Sequence, residues 1–268
     1  MSNPTAQELA EVWKRDFFSA DHSIKWVAAE ELHTLWLDAR TAIVGTIDAQ
    51  GETEDGRRFF ADWKTLNKRK AANMQQVKAE WRMDPQALTY GLLLGDAIRE
   101  FTVRWAIKGQ PPTTDFEWYS YTAAELVWWK GELLNAADEL RRLRNGKVLQ
   151  WPTNLTNCTR YGWNYRCPLY DNGCPKLNFE HDPGLPKRTH NVEIEEKLAL
   201  EHEMKGHPPG DLVVLSSSSL EKWLGCKEQY RRFYEGDGME ETSEALQLGT
   251  EFHLLMKEYY RSLICSSQ

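Results

Sequence analysis

Residues 57–65, RRFFADWKT, set an aspartate and a lysine two positions apart inside a run that is otherwise aromatic and apolar. In a β-strand, residues two apart share a face, so Asp62 and Lys64 project together. The flanking Phe59, Phe60 and Trp63 mark a strand with a buried face. Upstream, TAIVGTIDA (41–49) is rich in β-branched residues and reaches Asp48 near its end, and a polar turn, QGETEDGRR, separates the two runs. If the runs pair as a hairpin, Asp48 and Asp62 converge. Two adjacent carboxylates repel and are tolerated mainly where a cation lies between them. Lys64 would then stand beside that cation, able to orient a water or to stabilise charge developing on a phosphate. The plainer reading is a surface hairpin with an exposed Asp–Lys pair, which contributes almost nothing to stability.

Outward from this hairpin the chain alternates between two periodicities. Residues 6–18 have helical apolar spacing. Runs 24–30 and 32–38 read as two strands that join 41–49 and 57–65 in an antiparallel meander. A helix follows over 85–98, with Pro85 suited to a first turn. REFTVRWAIKG (99–109) and DFEWYSYT (115–122) read as strands around a QPPTT turn, and 123–144 as a long amphipathic helix closed by Asn145-Gly146. The expected organisation is a core over 1–150, a cysteine-rich loop over 151–174, a connector over 175–211 and a helical segment over 212–268. The connector is charged and holds His181, His190, His202 and His207, whose irregular spacing reads as solvated loop. The RRLR run at 141–144 reads as a solvated helix face.

With 268 residues the chain can bury a sizeable core, and 41% hydrophobic with 27% charged residues fits a globular protein. A formal net charge of −7 argues against a protein that coats nucleic acid non-specifically. It leaves room for an enzyme with acidic metal ligands and local basic runs. No segment approaches the ~20 apolar residues of a membrane span. The opening MSNPTAQELAEVWKRDFF lacks the pattern of a signal peptide, which predicts a cytoplasmic protein, where disulfides are rare.

GTID (45–48), FFADWKT (59–65) and QALTY (86–90) together resemble the PD-(D/E)XK nuclease core of the RecB type, a group that includes CRISPR-associated RecB-like and AddB-type exonucleases. The resemblance implies an α/β, restriction-endonuclease-like fold with a central mixed sheet flanked by helices. It implies that Asp48 and Asp62, with the Trp63 carbonyl, bind Mg²⁺ or Mn²⁺, that Lys64 positions the attacking water, and that Gln86 and Tyr90 help place the lysine and the DNA. Without the resemblance, Gln86 and Tyr90 read as a helix face packed on the sheet. The family also carries a Ser-rich cap, a cysteine helix and a G-x-x-x-H helix whose histidine is a metal ligand, and it carries them ahead of the core. Here they come last, as LSSSSLEKWLGCKEQYRRFY and LGTEFHLLMKEYY, with His253 four residues after Gly249. A lone histidine on such a helix is otherwise a core or half-exposed residue. The order implies a circular permutation, or a C-terminal segment that completes a neighbouring subunit or begins a second, shortened copy.

Cys158, Cys167 and Cys174 lie in the loop segment with x8 and x6 spacings, and Cys226 lies on the serine-capped helix. These are not the short CxxC pairs of a zinc ribbon, and thiolates at such a site suit Fe–S or zinc. Cluster-bearing members of the family divide their cysteines one plus three, as this chain does. The resemblance therefore implies a [4Fe–4S] cap, with zinc as the competitor. Cys265 reads as a bystander. Lys68, Arg69 and Lys70 with Arg231 and Arg232 form basic runs, interleaved with aromatics, that could track a DNA backbone. The expected function is metal-dependent hydrolysis of DNA, exonucleolytic and directed at single-stranded DNA or DNA ends, in a recombination or CRISPR-adaptation setting and in a host cytoplasm if phage-encoded. The alternatives are an inactive cluster-bearing DNA-binding or assembly module, or a zinc-stabilised interaction protein.

Overall fold

Helix α1 (Ala6–His22) opens on a capping box: the Thr5 side chain accepts from Glu8 N at 3.2 Å, and the Glu8 carboxylate accepts from Thr5 N at 2.7 Å. Its Leu9, Trp13 and Phe17, spaced by four, form the buried stripe. The structure, a computed structural model, describes residues 4–95, 98–144, 192–206, 211–225 and 244–266. After α1 come β1 (Lys25–Asp38), β2 (Thr41–Glu52) and β3 (Arg58–Asn67). A segment with α2 (Lys68–Ala71), α3 (Met74–Trp81) and α4 (Pro85–Leu94) leads to β4 (Glu100–Lys108), β5 (Thr113–Ser120) and α5 (Ala123–Arg144). The remaining described elements are α6 (Val192–Met204), β6 (Val213–Ser216), α7 (Ser217–Gly225) and α8 (Glu244–Ser266).

The sheet order is β1-β2-β3-β4-β5, with β6 also on β2. β3 runs antiparallel to β2 and parallel to β4, and β5 returns antiparallel to β4, so the sheet is mixed. A parallel pair needs a long crossover, which the α2–α4 segment supplies. β3 is central: Phe59, Phe60, Ala61, Asp62 and Trp63 are all buried, as expected for a strand covered on both faces. Phe59, Ala61 and Trp63 belong to a core with Trp13, Phe252, Met256 and Tyr260 from α1 and α8. Burial of this kind stabilises by roughly 1.5–3 kcal/mol per large side chain.

The chain divides into two compact units, one of Met1–Leu35, Val44–Lys130 and Thr242–Gln268, the other of Trp36–Ile43 and Gly131–Glu241. Within the second, Arg141 is buried and donates to Arg40 O, Thr41 Oγ1, Asp211 O and Asp138 Oδ1. It is a structural hub and not the solvated residue the sequence suggests, because its guanidinium satisfies two backbone carbonyls.

Three further expectations are corrected. Residues 24–30 and 32–38 form one strand, because the chain passes Glu30 in a left-handed conformation (φ 52°) without leaving the sheet. Helix α4 stops at Leu94 and not near 98: Gly95 takes φ 70° and its N–H caps the Gly91 and Leu92 carbonyls. The 175–211 connector contains α6, and His202 on it is buried against Trp36, ring planes 7° apart. Among the described residues no helix is long and apolar enough to cross a membrane.

Candidate functional site

The β2–β3 register positions the two aspartates. Pairing runs from Glu52↔Arg58 to Ala49↔Ala61, so Asp48 and Asp62 come next, just past the last of these pairs. There the Asp48 carboxylate accepts the Trp63 backbone N–H at 2.8 Å. Asp48 and Asp62 are 5% and 1% exposed. Burial pushes the Asp48 carboxyl up to about 7, Asp62's charge adds to the rise, and His253 and Lys64 pull against it.

Asp62 and Lys64 share one face of β3, as the i, i+2 spacing requires. Lys64 Nζ lies 2.9 Å from Asp62 Oδ1 and 2.8 Å from Oδ2. Burial opposes the ammonium's charge, but Asp62 and Asp48 outweigh it and raise the Lys64 pKa. The ammonium also sits 5.5 Å from the centroid of the Trp81 ring. Helix α4 faces this side of the strand. Asp84 caps it by accepting from Gln86 N at 2.8 Å, and Pro85 starts its first turn. Gln86 Nε2 then donates to Asp62 Oδ1 at 3.0 Å and to the Tyr90 hydroxyl at 2.8 Å. Tyr90 is buried, edge-on to Phe60. A Cβ on Gly45 would fall 2.9 Å from Leu93 and 3.0 Å from the Tyr90 ring, so the glycine of GTID is what lets α4 lie against β2. Tyr90 thus packs as a helix face on the sheet and braces Gln86.

His253 reaches the site from the other end of the chain. α8 lies against α1 and β3, and His253 Nδ1 accepts the indole N–H of Trp63 at 3.0 Å across 190 positions. The same nitrogen lies 3.9 Å from Asp48 Oδ1 and 3.6 Å from Glu30 Oε1. Burial works against an imidazolium here, but Glu30 and Asp48 together raise the His253 pKa. Gly249, one turn earlier, is not sterically required, since a Cβ there would meet Thr65 Oγ1 at an ordinary 3.9 Å.

Asp48, Asp62, Lys64, Gln86, Tyr90, Trp63 and His253 are therefore brought together. Lys68, Arg69 and Lys70 are not part of this cluster: they form α2 beyond the end of β3, with Lys68 and Arg69 exposed. Cys158, Cys167, Cys174, Cys226, Arg231 and Arg232 lie outside the described residues. Cys265 is free and exposed on α8. Sequence reading missed Glu30, whose only local signal is a pair of acids, Glu30-Glu31, inside a strand.

One ligand atom each from Glu30, Asp48 and His253 lie within 4.8 Å of one another. Two carboxylates and an imidazole at that separation could hold a divalent cation, and crowded buried carboxylates are costly without one. Among the described residues no cysteine joins this group. No protein-family model and no curated protein matches this chain, so its function is read from this geometry.

Proposed function

We propose that the chain is a metal-dependent deoxyribonuclease with a RecB-type PD-(D/E)XK site, acting on single-stranded DNA or DNA ends. The observation that carries this reading is the joint placement of Asp62, Lys64 and Gln86 on one side of Asp48 with His253 on the other. An ammonium fixed against two buried carboxylates suits hydrolysis of a phosphodiester, whose transition state gathers negative charge on phosphoryl oxygens. Asp48, Asp62 and His253, with the Trp63 carbonyl, would hold a Mg²⁺ or Mn²⁺ ion, which when bound supplies Lewis-acid stabilisation of that charge.

The chain's own contribution is positioning. Asp62 holds the Lys64 ammonium, Gln86 fixes the Asp62 carboxylate, and Tyr90 fixes Gln86. Lys64 would orient the attacking water and neutralise charge on the hydroxide it becomes. Trp63 holds the His253 ring by donating to Nδ1, whose single lone pair would have to exchange the indole N–H for the ion in order to ligate. In this reading the segment from about 212 to 268 supplies what the family places first, making the order a circular permutation within one chain. Cys158, Cys167, Cys174 and Cys226 would carry the [4Fe–4S] cluster that joins that segment to the core, with zinc as the competing occupant.

The test uses end-labelled single-stranded DNA with Mn²⁺. Degradation is expected, abolished by EDTA and reduced on the order of 10²–10⁴-fold in Lys64→Ala. Equal degradation by wild type and variant would overturn the assignment. Resistance of circular single strands distinguishes an exonuclease from an endonuclease.

A further inference from the structure

Glu30 and Glu31 are adjacent in β1, yet they point to different environments. Glu31 is 54% exposed and meets Gln50 and His33 on the surface. Glu30 turns inward, its side chain 15% exposed, through the only left-handed non-glycine residue among those described. Such a conformation in a side-chain-bearing residue persists only where the surroundings enforce it. The inward carboxylate gains little from the protein in return. Its Oε1 is buried with no hydrogen-bond partner, and its nearest basic atom, His253 Nδ1 at 3.6 Å, is beyond ordinary hydrogen-bond length. That nitrogen is already engaged by the Trp63 indole. A buried carboxylate oxygen left in this state is costly unless something else meets it.

We infer that Glu30 is a further ligand of the site's divalent cation, added to the proposed set and grouped with Asp48 and His253. This inference rests on reading the site as a metal centre, but not on the reaction performed there. It also divides the labour between the acids. Glu30 lies on the histidine side, and its ligand atom groups with those of Asp48 and His253. Asp62 Oδ1 is engaged by Lys64 and Gln86, so that oxygen's first task is to hold the ammonium, while Oδ2 is buried beside the same ammonium without a hydrogen-bond partner. β1 thereby becomes a functional strand, and its left-handed residue is what aims the ligand.

The experiment is a Mn²⁺ titration of the metal-stripped full chain, following loss of the free Mn²⁺ electron paramagnetic resonance signal. Wild type, Glu30→Gln, Glu30→Asp and Glu31→Gln are compared, each checked for folding by far-ultraviolet circular dichroism. Glu30→Gln is expected to weaken Mn²⁺ at least ~10-fold, with Glu30→Asp weakened through its shortened arm and Glu31→Gln unchanged. The thermal stabilisation that Mn²⁺ gives wild type should shrink in parallel in Glu30→Gln. Wild-type affinity in a folded Glu30→Gln would overturn the inference. If Glu30→Gln fails to fold, wild-type affinity in Glu30→Asp overturns it equally. Absence of Mn²⁺ binding by wild type would overturn it together with the metal site. Glu30-dependent binding in a protein that leaves DNA intact would sustain the ligand and refute the nuclease.

Discussion

The first unit buries two charged clusters, and they are built on opposite principles. Behind β3, Arg104 bonds Asp21 and donates to Tyr260 Oη at 2.9 Å. Tyr260 in turn donates to Asp21 at 3.1 Å and accepts from the Trp13 indole at 3.1 Å. Arg104 also lies 4.6 Å from the Phe17 centroid. One cation meets one carboxylate, and the neighbouring hydroxyl and indole are satisfied. At the candidate site, which reaches to both sides of Asp48, the three acids Glu30, Asp48 and Asp62 are accompanied by one lysine, Lys64, and one histidine, His253. Three carboxyl groups thus stand against one ammonium, and burial together with the charge of Asp62 raises the Asp48 pKa. The balanced cluster needs nothing further and locks α1, β4 and α8 together. The unbalanced one keeps an excess of acids that a bound cation would offset, and the proposed metal site rests on this difference.

Breaking the balanced cluster should have the largest effect. Asp21→Ala strands a buried guanidinium and is expected to cost about 3–5 kcal/mol in guanidinium chloride unfolding, with or without metal. A loss under 1 kcal/mol would mean that the network is not the clamp described here.

Next in size is the response to pH, which should change sign with metal. The folded Asp48 carboxyl titrates at about 7 against an ordinary 3.8, so between those values the folded state binds more protons than the unfolded state. Stability in EDTA therefore falls as pH rises across that window. His253 acts in the same direction, since its raised pKa contributes stability below 6.5 that is lost on passing its folded value. With Mn²⁺ the ligands must be deprotonated, and stabilisation by the ion should grow with pH. Thermal melts from pH 4 to 8 with EDTA and with Mn²⁺ should diverge; parallel curves would refute the charge imbalance.

The smallest effect is the most diagnostic. Asp48→Asn removes one negative charge and keeps an acceptor for the Trp63 N–H, so it should raise metal-free stability by about 1 kcal/mol while abolishing Mn²⁺-dependent hydrolysis. A destabilised metal-free variant would show that Asp48 serves the fold first.

Much of the site was legible because strand periodicity is so strict. The i, i+2 spacing of Asp62 and Lys64, the β-branched run reaching Asp48 and the Pro85 start of α4 are local signals with local consequences. Glu30 was not legible: strand alternation assumes an uninterrupted pleat, and a single left-handed residue cancels the assumption. Arg104 and Asp21 escaped for a different reason. Their pairing spans 83 positions and exists only once α1 lies on the sheet. Arg141 was misread because a basic run on a helix carries no mark of which side chain turns inward. The parallel β3–β4 pair likewise depends on where a crossover returns, which no short window of sequence records.

The long reach of His253 has a consequence for synthesis. The carboxylates of β1, β2 and β3 leave the ribosome far earlier than the imidazole, with 190 positions between Trp63 and His253. At a translation rate of roughly 5–20 residues per second, that interval is about 10–40 s. Throughout it, the growing chain holds an acidic pocket without its nitrogen donor. The cluster is thus completed only once α8 has been made, and a chain stalled before α8 carries the lysine and the aspartates but not the imidazole that lies beside them.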